Sequence, residues 1–123
     1  MNYFYLIIAV AAVFMILKGR GGYKSMSQAK AKEMMDTQNV LVLDVREQAE
    51  YDSGHIAGAR LLPVGTINAQ SAAEIIPAKD AVVLVYCHSG NRSRKACAIL
   101  ARLGYTEVYE MGGITTWQYG VER

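Results

Sequence analysis

The chain has 123 residues, and its 13 Lys and Arg against 11 Asp and Glu give a formal charge of +2. Lys18, Arg20 and Lys24 carry that excess, so residues 25–123 hold ten basic against eleven acidic groups, or −1, too little for the basic face of a nucleic-acid binder. Two cysteines without a CxxC or a zinc-like Cys/His spacing exclude a disulfide scaffold and a zinc module, and as free thiols they suggest a reducing compartment.

Tyr3 to Leu17 is an unbroken apolar run, and residues 1–17 carry no charge. A helix over those 15 residues spans about 22 Å, and Met1, Asn2 and a snorkelling Lys18 extend it towards the ~30 Å hydrocarbon core. Tyr3, Phe4 and Tyr5 suit an interfacial aromatic belt. A cleaved signal peptide is the rival reading, but it needs a basic stretch before the apolar run, and Ala9-Val10-Ala11 lies inside the run. The expectation is one transmembrane anchor over residues 1–18 and a juxtamembrane linker over 19–26, with Gly19-Arg20-Gly21-Gly22 as a flexible tether. Lys18, Arg20, Lys24, Lys30 and Lys32 all follow the run, so the positive-inside rule places the body, residues 27–121, on the cytoplasmic side of a bacterial-type inner membrane.

From Ser27 the pattern alternates between helices and short apolar strands. Ser27 caps a helix running to about Thr37. Val40-Leu41-Val42-Leu43, ending at Asp44, reads as a buried strand. A short helix over Glu47 to Asp52, a turn at Gly54, and a strand over Ala59 to Leu62 follow. Thr66 to Ile76 is helical in pattern, with Pro77 as its stop. Ala81 to Tyr86 is the clearest strand and runs directly into Cys87-His88-Ser89-Gly90-Asn91-Arg92-Ser93. Arg94 to Leu103 is a helix stopped by Gly104. Val108 and Tyr109 fit a last strand, and Ile114 to Tyr119 a last short helix. Such alternation implies an α/β fold with a mainly parallel sheet flanked by helices.

Cys87 ends a buried strand and opens a tight loop before a helix, where open α/β sheets bind ligands. Backbone N–H groups of the loop and the helix N-terminus favour thiolate over thiol, and the thiolate is the nucleophile. Gly90 and Asn91 tolerate the backbone angles that turn N–H groups inward. Arg92, Arg94 and Lys95 lie in the first turn of the helix, where the dipole alone favours acidic residues; their presence fits an anion bound beside Cys87.

Leu43-Asp44-Val45-Arg46-Glu47, Glu50-Tyr51, Gly54-His55-Ile56-Ala57-Gly58-Ala59, the Cys87–Ser93 loop, and Gly112-Gly113-Ile114 with Trp117 together resemble a rhodanese homology domain, from about Ser27 to Val121. The resemblance implies a five-stranded parallel sheet, a persulfide on Cys87, and transfer of its sulfur from a small anionic donor to a thiol acceptor, protein thiols included, with no cofactor and no metal. By the same resemblance His88, Ser89, Gly90, Asn91, Arg92 and Ser93 cradle the sulfur, while Asp44 and Arg46 brace the loop or line the pocket and Arg60 reaches towards its mouth. His55 resembles a structural residue bonded to nearby backbone, and Cys97 a buried small hydrophobe. The resemblance covers the body alone; the bilayer is the expected partner of residues 1–18. A non-catalytic membrane-tethered module is one competing function. A cysteine-dependent phosphatase is the other, disfavoured because Cys87 and Arg92 have four residues between them and rhodanese-like phosphatases have five.

Overall fold

The computed structural model describes residues 22–123, so the expected anchor over 1–18 and the tether before Gly22 lie outside the described residues. Among the described residues no helix is long and apolar enough to cross a membrane. The elements are β1 (Lys24–Ser25), α1 (Gln28–Thr37), β2 (Leu41–Asp44), α2 (Gln48–Ser53), β3 (Arg60–Leu61), a 3-10 turn (Val64–Thr66), α3 (Ala69–Ile75), β4 (Val82–Cys87), α4 (Asn91–Arg102), β5 (Glu107–Gly113) and a second 3-10 turn (Ile114–Thr116). The five strands form one sheet in the order β1-β5-β4-β2-β3, with every described pairing parallel.

The alternation of side chains along β4 builds two cores. Val83, Val85 and Cys87 point to one face, with Leu43, Ala72, Ala96, Cys97 and Leu100. Leu84 and Tyr86 point to the other, with Ala31, Val42, Ile56 and Met111. Cys87 therefore emerges on the face that α4 covers.

Several elements differ from their sequence expectations for local reasons. Lys24 and Ser25, expected in the linker, form an edge strand on β5; both are exposed and carry no apolar alternation to reveal it. The helix expected over Thr66 to Ile76 is split. Asn68 accepts from the Ser71 N–H and Ser71 Oγ accepts from the Asn68 N–H, which starts a new helix after the 3-10 turn. The expected last helix shrinks to Ile114–Thr116, because Trp117 is already extended and its indole donates to Gly120 O at 2.9 Å. β5 is far longer than Val108 and Tyr109, since it is paired on both sides.

On the face of Tyr86, Asp44 and Arg46 are buried together. Asp44 Oδ1 accepts the Arg46 N–H at 2.9 Å, and Oδ2 accepts Arg46 Nη2 at 2.7 Å and the Tyr86 hydroxyl at 2.6 Å. Arg46 Nη2 also donates to Gly54 O at 2.7 Å, and Tyr86 Oη accepts the Ile56 N–H at 3.0 Å. Burial first, and then the Asp44 carboxylate, push the Tyr86 phenol far up and keep it protonated as a donor. This network ties β2 and β4 to the Gly54-His55-Ile56 segment. Asp44→Ala leaves a buried guanidinium without its counter-ion, and is expected to destabilise the fold by about 3–5 kcal/mol in urea unfolding.

Candidate active site

Cys87 is 1 % exposed. Its sulfur accepts the Gly90 N–H at 3.0 Å and lies 3.5 Å from Ser93 Oγ. Gly90 caps α4 with φ of 113°, a left-handed conformation that suits glycine, and turns its N–H back towards the sulfur. Asn91 needs no unusual backbone angle: it is the first residue of α4, three positions before the helix start expected at Arg94. Burial raises the Cys87 pKa, but bonds from the Ser93 hydroxyl and the Ser93, Gly90 and Ser89 N–H groups outweigh it and leave the thiol below its ordinary range.

Ser93 and Glu110 lie beneath the sulfur, and both are buried. Ser93 Oγ is 2.6 Å from Glu110 Oε1, closer than to Gly90 O at 2.9 Å or Gly112 O at 3.4 Å. Glu110 Oε1 also accepts the Gly112 N–H at 2.8 Å. A bulge brings Glu110 here: Val85 pairs with Glu110 and Cys87 with Gly113, so β5 spends one residue more than β4 over the same interval. Glycine is required at the end of that interval. A Cβ on Gly113 would sit 2.1 Å from His88 O and 2.6 Å from Ser89 Cα. The loop is further held by Thr115, whose N–H donates to His88 O at 3.2 Å, and by Gln28, which donates to Gly113 O at 2.9 Å.

The expected cradle is thus brought together at Cys87, Gly90 and Ser93, with His88, Ser89 and Asn91 exposed on its rim. Arg92 is engaged otherwise. Its Nη1 and Nη2 donate to the two carboxylate oxygens of Glu50, at 2.6 and 2.9 Å. That pairing, ahead of all other causes, holds the Glu50 carboxyl down to about 2. Arg94 is exposed and its guanidinium donates to Asn91 Oδ1.

Three expected supporting residues, Asp44, Arg46 and Arg60, act differently from their expected roles. Asp44 and Arg46 bond each other, Tyr86 and the Gly54 segment, so they brace the far face of β4 rather than the Cys87 loop. Arg60 lines a hollow of about 490 Å³ with Asn39, Pro77 and Ala81, at the amino ends of β2 and β4, and so opens away from Cys87. His55 bonds Tyr51 O through Nδ1 at 2.9 Å and stacks on the Tyr51 ring, the backbone-fixing role expected of it. Cys97 is fully buried, and burial, followed by the nearby Glu110 and Cys87, pushes its thiol far up. The pairing of Glu50 with Arg92, the roles of Tyr86 and Glu110 and the close approach of Gly113 have no counterpart among the sequence expectations. Glu110 left one usable trace, a charged residue two positions after Val108 on the inward side of a strand.

A buried cysteine with a lowered pKa, at the carboxyl end of a central parallel strand and under inward-turned N–H groups, defines a class of α/β proteins built for nucleophilic sulfur chemistry. Residues 27–119 match the rhodanese-like domain family. The chain is 40% identical over 92 residues to a sulfurtransferase of Allochromatium vinosum, covering 74% of this chain and 83% of that protein. It is 34% identical over 97 residues to the thiosulfate sulfurtransferase GlpE of Coxiella burnetii, covering 78% and 88%. Among solved structures, a rhodanese with anions from E. coli is similar at 34% identity and a TM-score of 0.59, over 63% of this chain and 89% of that one. The chain belongs to the rhodanese-like domain family, and it is a rhodanese-type sulfurtransferase.

Two outcomes test the geometry. In Gly113→Ala the added methyl meets backbone, not a yielding side chain, so the Cys87 loop must move; the alkylation rate of Cys87 is expected to fall about 100-fold while the circular dichroism spectrum persists. Glu50 has a folded pKa of about 2, below its ordinary 4.5, so its stabilisation is full above the ordinary value and disappears as pH falls through about 2. The gap in urea midpoint between the native chain and Glu50→Gln should therefore close as pH is lowered over that window.

Proposed function

We propose that the chain moves a sulfane sulfur from a small anionic donor such as thiosulfate to a thiol acceptor through a persulfide on Cys87. The observation that carries this reading is the sulfur of Cys87 held 3.0 Å from the Gly90 N–H, with a thiol pKa below the ordinary range. The thiolate attacks the outer sulfur of the donor, the donor's S–S bond breaks, and its electron pair leaves with sulfite. The anionic persulfide left on Cys87 then faces the same N–H groups, and an acceptor thiolate takes the outer sulfur and restores Cys87. The name of the Coxiella burnetii relative supports thiosulfate as a donor, and the anions in the E. coli rhodanese support an anion-accepting pocket.

The same reading puts the body at the cytoplasmic face of a bacterial-type inner membrane, tethered by residues 1–18. It rests on the uncharged run before Lys18 and the basic residues after it. A cytoplasmic thiol pool supplies acceptors in their reduced form.

Treatment with thiosulfate is expected to add one sulfur atom to the Cys87 peptide in mass spectra. Cys87→Ser should abolish both that adduct and turnover, whereas Cys97→Ala should leave turnover unchanged. A native chain without the adduct, or equal damage from the two substitutions, would refute a single-cysteine persulfide route.

A further inference from the structure

Glu110 is a buried carboxylate at 8 % exposure, with Val108 and Met111 buried on the same strand. Placing a carboxylate there costs solvation that hydrogen-bond partners must offset. Its partners are Gly112 N and Ser93 Oγ, and Ser93 Oγ is also the hydroxyl nearest the Cys87 sulfur. We propose that Glu110 is the positioning residue that takes up the Cys87 thiol proton through Ser93. The proposal rests on Cys87 as the sulfur carrier and on nothing about the donor.

The hydrogen-bond geometry admits two states with the same number of protons. In the first, the Cys87 S–H donates to Ser93 Oγ, 3.5 Å away, and the Ser93 O–H donates to the Glu110 carboxylate, 2.6 Å away. In the second, both protons have moved one step. The S–H and the original O–H bonds break, new O–H bonds form on Ser93 and on Glu110, and the negative charge passes from carboxylate to sulfur. Ser93 then donates to the thiolate and the Glu110 carboxyl donates to Ser93. No proton enters solvent, so a nucleophile that is 1 % exposed is activated without water reaching it. After the acceptor removes the outer sulfur, the reverse shift returns the proton to Cys87.

Electrostatics favours one charge on this trio over two, because adjacent buried anions repel. The charged and titratable groups around it are exposed, paired or neutral. Arg94 on α4 lies over Gly90: a Cβ on Gly90 would sit 3.1 Å from its Nη1 and 3.9 Å from Glu110 Oε1. Arg92 feels the Cys87 charge but is committed to Glu50. Cys97, on the same helix, is held as a neutral thiol by burial and by the charges of Glu110 and Cys87. His88 is exposed on the rim. From the other side, β1 sets the neutral Ser25 in register with Glu110, and α1 sets the neutral Gln28 on Met111 O and Gly113 O.

Two coupled sites lose their protons in two macroscopic steps that belong to the pair. The rate of Cys87 alkylation in the full chain, followed on the Cys87 peptide across pH, should therefore show an acid-side plateau and a second rise at higher pH. Glu110→Gln and Ser93→Ala should each give a single step and lower the acid-side rate about tenfold, one pKa unit's worth. A single step in the native chain, or a plateau that survives Glu110→Gln, would overturn the proposal. Should those variants fail to fold, carbon NMR of the Glu110 carboxyl decides. Two titration steps in the native chain and one in Cys87→Ala support the relay, and identical curves refute it. Alkylation consumes no sulfur donor, so a failed persulfidation beside a two-step profile counts against the donor and not against the relay.

Discussion

Gly113 and the His88 carbonyl occupy space that a single methyl group would close, and much of the site's order follows from that approach. For β5 to come so near the loop after β4, it takes one extra residue between its pairings with Val85 and Cys87. That residue is absorbed around Gly112, whose φ of 90° is accessible to glycine at little cost. The same bulge fixes where Glu110 can sit, since its carboxylate closes on the Gly112 N–H as well as on Ser93. Thr115 and Gln28 then bond the two backbones that meet there. The loop geometry is set by backbone packing from β5 as much as by its own residues.

Strand alternation divides the polar interior into two separate networks. Tyr86 and Cys87 are neighbours on β4 and point to opposite faces, so the Asp44–Arg46–Tyr86 network and the Cys87–Ser93–Glu110 network lie back to back across the sheet. Among the described residues no buried side-chain nitrogen or oxygen lacks a partner. The first network is closed and ionic, suited to rigidity. The second contains a thiol and a carboxylate joined by one hydroxyl, and a network of that kind can hold the same atoms in two protonation patterns.

The sequence made the scaffold legible where local chemistry decides structure. Ser27 as a helix cap, the apolar strand into Cys87 and the glycine at the turn into α4 are all local signals, and each stands where expected. What escaped notice depends on residues far apart in the chain. Arg92 carries no mark of its pairing with Glu50, 42 positions away, so it read as a free anion-binding cation. Gly113 stands in the sequence only as part of a motif, because the His88 carbonyl that excludes a side chain there belongs to another strand's loop. β1 has two exposed residues and exists only because β5 offers an unpaired edge. Arg60 opens a strand that is short and peripheral, and its register with Leu43 directs it to the amino-end hollow.

Arg92 and Glu50 change the account of how an anionic donor would be held. A guanidinium already bonded through both nitrogens to a carboxylate contributes little net field to a small anion nearby. Asp44 and Arg46 likewise cancel one another on the far face. With those pairs closed and the body at −1, attraction has to come from oriented N–H groups around Cys87 and from exposed cations on the first turns of α4, Arg94 and Lys95. N–H dipoles act at hydrogen-bond range and fall off quickly, so they discriminate by fit where a free arginine would discriminate by charge. A persulfide keeps its outer sulfur within that range, whereas a larger anionic group would have to displace Glu50 from Arg92 to gain comparable stabilisation. On the proposed persulfide route, N–H groups acting at short range favour small sulfur species, and the Glu50–Arg92 pair contributes by withholding a cation.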